Sequence, residues 1–250
     1  MKNSIFNFTS AIITYLRRGL NEMYKTSKKL NLFKISLYML LFYILWDIGS
    51  MIGRSTQLRD LRNFYSIDLY GILLRILFCI LSFVFLKYYE KDLKLSFKDM
   101  FSKFDMKVFS VYFSVLVILE LIMMFVLCKK WNFNFNNISL IFYFISVGLM
   151  EELVCRGCVF NALNSKIKYK KANIIQTIYF AVWHIVPYIP VWIARGAVNI
   201  EQLKYVLIWN IPASIVIGLL FGHILEKTKS LWIPIILHTF TDYLASLLYM

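Results

Sequence analysis

The chain has 250 residues, 60% of them hydrophobic and 18% aromatic, with a mean hydropathy of +0.64. That composition excludes an ordinary soluble enzyme, because several apolar runs approach the 20 residues that cross about 30 Å of hydrocarbon. A formal charge of +14 would point to nucleic acid in a soluble protein, but here the basic residues fall between apolar runs, as the positive-inside rule requires, and no nucleic-acid partner is expected.

In chain order, residues 1–33 read as an amphipathic and basic segment. Ile5–Leu16 is apolar for about a dozen residues, is followed by Arg17-Arg18 and lacks a small-residue cleavage site, which suits a helix lying on the inner membrane face rather than a signal peptide. Seven spans are expected near 34–53, 67–87, 108–128, 138–160, 173–195, 205–225 and 231–249. The fold class is therefore all-α, a polytopic transmembrane helical bundle of about seven spans, with amino-terminal helices in 34–130 and a core in 138–250. With the amino terminus inside, nineteen Lys and Arg fall on inner segments and seven on outer loops. This sets a multi-pass cell-membrane topology with the amino terminus cytoplasmic and the carboxyl terminus outside.

Charges inside spans need partners, since each costs about 2.5–3.5 kcal/mol at the bilayer centre on insertion scales. Arg75 is expected to clamp Asp47, Glu120 or both. Cys79, Cys128, Cys155 and Cys158 lie within or at the ends of spans, which suits helix packing better than a disulfide framework. Pro187 and Pro190 predict a kink beyond His184.

The informative stretch is Gly148-Leu-Met-Glu151-Glu152-Leu-Val-Cys155-Arg156-Gly157. Glu152 and Arg156 are four apart and share a helix face. Glu151 is rotated about 100° away, so it is the carboxylate that Arg156 does not neutralise. Counted at 1.5 Å per residue, Glu151, His184, His238 and Asp242 fall in one slab roughly 10–17 Å from the inner boundary. Two of the three histidines share that slab with two acids, which scattered packing histidines would not do.

Two chemistries fit such a slab. A carboxylate beside a neutral imidazole can hold and deprotonate water, with a second imidazole and its polar partner at the oxyanion. Alternatively, two histidines and a glutamate could ligate zinc, although their spacing is unlike His-Glu-x-x-His on one helix. A buried polar network that only fastens helices together is the bland alternative.

Three motifs carry a resemblance. Glu151-Glu152-Leu-Val-Cys-Arg156, Phe180-Ala-Val-Trp-His184 and His238-Thr-Phe-Thr-Asp242 occur in that order, the last preceded by Lys229-Ser-Leu-Trp-Ile-Pro234. Together they resemble the CPBP family of intramembrane proteases, which includes the type II CAAX prenyl-protein proteases and the abortive-infection and bacteriocin self-immunity proteins. The resemblance covers about 138–250. It implies an intramembrane endopeptidase without cofactor, acting on a membrane-associated peptide or protein within the lipid bilayer. Glu151 with His184 would activate water, His238 and Asp242 would line the oxyanion site, and Glu152, Arg156 and Phe180 would support them. The motif trio also admits a non-catalytic immunity or scaffold protein that binds a bacteriocin or sensor. The site is expected to open towards the cytoplasm.

Overall fold

Helix α1 (Leu32–Gly53) starts where Asn31 Oδ1 accepts a hydrogen bond from the Lys34 amide at 3.0 Å, satisfying one of the donors that a helix start leaves open. The computed structural model describes residues 30–53, 69–126 and 138–249. The amino-terminal amphipathic segment, Cys128, the charges at 54–62 and 129–130 and the side chain of Glu120 lie outside the described residues. The chain divides into units 1–30 and 31–250, and every described helix belongs to the second.

After α1 come α2 (Leu69–Tyr88), α3 (Phe97–Ser102), α4 (Met106–Val126), α5 (Ile138–Glu152), α6 (Asn161–Asn164), α7 (Tyr169–Trp183), α8 (Ile189–Arg195), α9 (Ile200–Tyr205), α10 (Ile211–Thr228) and α11 (Trp232–Tyr249). Two π-helical stretches, Leu153–Phe160 and Val206–Asn210, join α5 to α6 and α9 to α10. All regular structure among the described residues is helical, so this is an all-α membrane bundle. Four stretches among them are long and apolar enough to cross a bilayer: Leu32–Gly53, Leu69–Tyr88, Tyr169–Ile193 and Ile200–Thr228. Their outward faces carry large apolar side chains such as Phe33, Leu40, Ile80 and Val216, which a lipid environment accommodates.

The core lies at the end of the bundle that carries the basic connections. Phe221, Ile224, Ile233 and Leu237 pack there with Leu116, and residues Leu153 to Phe160 are all buried. Between the spans expected at 67–87 and 108–128 lies α3, opened by a capping box between Ser96 and Asp99. The Phe101 carbonyl accepts from Trp232 Nε1 at 3.0 Å and the Met100 carbonyl from the Leu231 amide at 2.8 Å. The lead-in to α11 is thereby docked on α3. Asn161 closes the same end, its amide bonding both the N–H and the C=O of Leu95 at 2.8 Å.

The kink expected beyond His184 is a full interruption. α7 ends at Trp183 with His184 as its cap, and Val186–Tyr188 form a 3-10 turn before α8. Pro187 has no N–H to donate back to Trp183, and its ring disfavours helical backbone at the preceding residue.

Candidate active site

α5 and α11 touch at Gly148, where an added Cβ would overlap Thr239 Oγ1 and lie 3.0 Å from the Ile235 carbonyl oxygen. Without a side chain there, the next turn of α5 sets Glu152 against α11. His238 Nδ1 lies 2.7 Å from Glu152 Oε1, and the same oxygen accepts from Arg156 Nη1 at 2.9 Å. Both charges of the Glu152–Arg156 pair are completely buried. The guanidinium lies over the Phe180 ring at 4.2 Å and near that of Phe221 at 5.5 Å, a cation–π setting that offsets part of its desolvation. The spacing placed Glu152 with Arg156; it did not show His238 as the third member of the network.

Glu151 is held differently. Its Oε1 accepts from Trp183 Nε1 at 3.1 Å, and its Oε2 stands 3.6 Å from His238 Nε2. Asp242 Oδ2 is also 3.6 Å from that nitrogen. Neither separation is a direct hydrogen bond, so His238 is bonded to Glu152 and flanked by the two other acids. Trp183 is fixed by rings of α1, with Phe42 at 4.6 Å and Trp46 at 4.8 Å between centroids. Sequence reasoning missed Trp183. Its signal was its place directly before His184, at the last residue of α7.

His184 Nδ1 lies 2.8 Å from the Phe180 carbonyl oxygen. A carbonyl only accepts, so Nδ1 carries the hydrogen, and the neutral ring keeps its lone pair on Nε2. Phe180 thus supports the site through its carbonyl at His184 and through its ring, which meets Arg156 and lies 5.8 Å from His238.

Glu151, Trp183 and His184 line one cavity of about 220 Å³, together with Trp46 of α1, Arg75 of α2, and Tyr188 and Asn210 beyond the end of α7. The structure brings Glu151 and His184 to this shared wall. His238 and Asp242 stand outside it, behind Glu151.

The cavity also lies towards the end of the bundle opposite the one expected. Trp46 is seven residues from Gly53 and fourteen from Leu32, and Arg75 is six from Leu69 and thirteen from Tyr88. At 1.5 Å per residue the nearer end is about 10 Å away and the basic end about 20 Å. The physical reason is packing: the basic end is filled by Phe160, Phe180, Phe221 and Arg156, each under 2% exposed.

Among the described residues no group of three His, Cys, Asp or Glu side chains is disposed to hold a metal ion.

Residues 133–244 match a family model described as Type II CAAX prenyl endopeptidase Rce1-like. No curated protein and no solved structure matches the chain.

Proposed function

On the match of residues 133–244 to the type II CAAX prenyl endopeptidase model, we propose that the chain is a CPBP/CAAX-type intramembrane endopeptidase. Its substrate is a membrane-associated peptide or protein, and Glu151 is its general base. A water held between the Glu151 carboxylate and His184 Nε2 gives a proton to Glu151, and its oxygen attacks the scissile carbonyl carbon. As the new C–O bond forms, the carbonyl π pair moves onto oxygen. His238 stands behind Glu151, its Nε2 3.6 Å from the Glu151 carboxylate and its Nδ1 held by Glu152, and positions the base from that side. Ionised Asp242 has no hydrogen to give; it orients His238. Collapse of the intermediate breaks the C–N bond, and the leaving amine takes the proton held by Glu151. No step uses a metal.

One observation carries the reading. Glu151, oriented by the Trp183 N–H, shares a cavity wall with an imidazole whose tautomer is set by the Phe180 carbonyl. A network that only fastens helices would need neither the cavity nor a carboxylate without an ion pair inside hydrogen-bond range.

The test compares membrane peptides, by mass spectrometry, from cells carrying wild type, Glu151→Gln or no protein. Wild type should generate cleaved products that the near-isosteric variant does not, at equal accumulation. Equal products from wild type and variant would overturn the assignment and leave the non-catalytic immunity or scaffold reading in its place.

A further inference from the structure

Asn210 is a lone amide in the run Val206-Leu-Ile-Trp-Asn210-Ile-Pro-Ala213, inside a stretch long enough to cross a bilayer, and belongs to none of the three motifs. A polar side chain at such a place is costly unless it is bonded. Among the described residues its side chain makes one hydrogen bond, from Nδ2 to Tyr188 Oη at 3.4 Å. That is longer than the usual 2.7–3.2 Å, and the amide has a second N–H to give. The local sequence explains how it reaches the site. Pro212 has no N–H, and its ring crowds the carbonyl four residues back. The chain answers with a π turn over Val206–Asn210, in which the Ile211 amide bonds the Val206 carbonyl. A π turn inserts one residue, which rotates the side chains before it by about 100° relative to those after it. Asn210 thereby lines the cavity of about 220 Å³ that holds Glu151 and His184, and Tyr188, from the turn beyond α7, lines it too.

We infer that Asn210 is a further catalytic residue, donating an N–H to the oxyanion of the tetrahedral intermediate, with Tyr188 positioning its amide. The inference rests on the peptidase reading. His238 and Asp242 stand outside the cavity, behind Glu151, so the oxygen on which charge develops needs a donor from the cavity's own wall. Trp183 gives its N–H to Glu151, and His184 gives its Nδ1 hydrogen to Phe180. Arg75 lies over Trp46 and is engaged within the protein. The Trp46 indole, fixed among the rings of Phe42, Phe78 and Trp183, is a rival donor that the test separates from Asn210. A neutral amide suits the role. It forms no ion pair with Glu151 in the resting enzyme, and its bond to the carbonyl oxygen strengthens only as charge develops there. A sphere of about 220 Å³ is roughly 7.5 Å across, which holds a water about 3–3.5 Å from the carbonyl carbon and a donor about 3 Å from its oxygen.

The test uses a fluorogenic peptide spanning a bond that is cut in membranes carrying wild type and left intact with Glu151→Gln, assayed on the whole protein in lipid nanodiscs. Asn210→Leu keeps the side chain's size and removes both N–H groups. Its kcat should fall about 10²–10³-fold, the usual loss for one oxyanion donor, with KM within about threefold of wild type and the melting temperature within a few degrees. Tyr188→Phe should lose about tenfold in kcat. Adding it to Asn210→Leu should cost almost nothing further, because Tyr188 acts through the amide. Should Asn210→Leu not accumulate, Asn210→Ala, which has nothing to overpack, decides by the same kcat. A kcat within about threefold of wild type in the Asn210 variant overturns the inference, and so does a loss carried by KM alone, which marks uniform binding. A lower melting temperature with kcat unchanged does the same and makes the amide a helix fastener. Loss of kcat in Trp46→Phe with Asn210→Leu intact gives the role to the indole. In each of these cases cleavage by wild type keeps the peptidase reading. Identical membrane peptides from wild type and Glu151→Gln would instead sink that reading, and the oxyanion role with it.

Discussion

Replacing Glu152 by Gln keeps the side chain's shape and an acceptor oxygen but removes the charge shared by Arg156 at 2.9 Å and His238 at 2.7 Å. Arg156 is 0% exposed, so water cannot take the place of the lost carboxylate. Breaking one partner of such a buried pair costs about 3–5 kcal/mol. In a chain of this size each kcal/mol moves the melting temperature by about 2–4 °C, which gives a drop of roughly 6–20 °C. Glu151→Gln is the control: its acceptor for Trp183 survives and it makes no ion pair shorter than 3.6 Å, so its cost should stay within about 1 kcal/mol. Tryptophan fluorescence of the detergent-solubilised protein, heated at one fixed scan rate because unfolding of such proteins is often irreversible, separates the two. A double variant, Glu152→Gln with Arg156→Leu, should recover part of the loss because it removes the stranded cation as well. A Glu152→Gln protein melting within about 2 °C of wild type would refute the view that this carboxylate holds the network together.

Trp183→Phe removes the N–H that orients Glu151 while keeping a ring against Phe42 and Trp46; hydrogen bonds to charged groups are worth about 1.5–3 kcal/mol, so peptide turnover should fall at least tenfold with kcat carrying most of the loss. Gly148→Ala should destabilise by about 1–3 kcal/mol, because its Cβ meets the Ile235 carbonyl and the Thr239 amide, which are backbone atoms that cannot rotate away; thermal melting checks it, and an unchanged melting temperature would contradict the close approach of α5 and α11. Exhaustive chelation should leave cleavage intact, measured as product formation before and after dialysis against chelator; activity that vanishes and returns with zinc would favour a metal site instead.

What the sequence revealed of the site was what depends on local periodicity. The i, i+4 spacing of Glu152 and Arg156 does form the pair it implied, and the depth argument assigned Glu151, His184, His238 and Asp242 to one slab from three separate helices. The helical class followed from apolar run length, and the break in α7 from Pro187. The parts that stayed hidden depend on rotation of whole helices about their axes. Nothing local distinguishes His238 bonded to Glu152 from His238 bonded to Glu151, since the two glutamates differ by one residue and the approach at Gly148 decides which one α11 meets. Trp183 was hidden for a related reason: an indole in an apolar run reads as packing until its N–H is seen to reach a carboxylate. The π turn from Leu153 to Phe160 has no residue signature of its own, because it follows from how the neighbouring helices crowd the chain.

The end of the bundle at which the cavity lies bears on how a substrate arrives. Lys and Arg gather on the segments joining α2 to α4 and α6 to α7, and this is the end filled by the aromatic core around Arg156. The unfilled space lies at the other end, beside Trp46, Arg75, Tyr188 and Asn210, where the break in α7 withdraws a helical turn from the wall. On the proposed peptidase reading, and with the basic end in the cytoplasm as the charge bias implies, a peptide would reach Glu151 through the outer half of the bilayer, while the buried Glu152–Arg156 pair that helps hold α5 and α11 together lies away from that space.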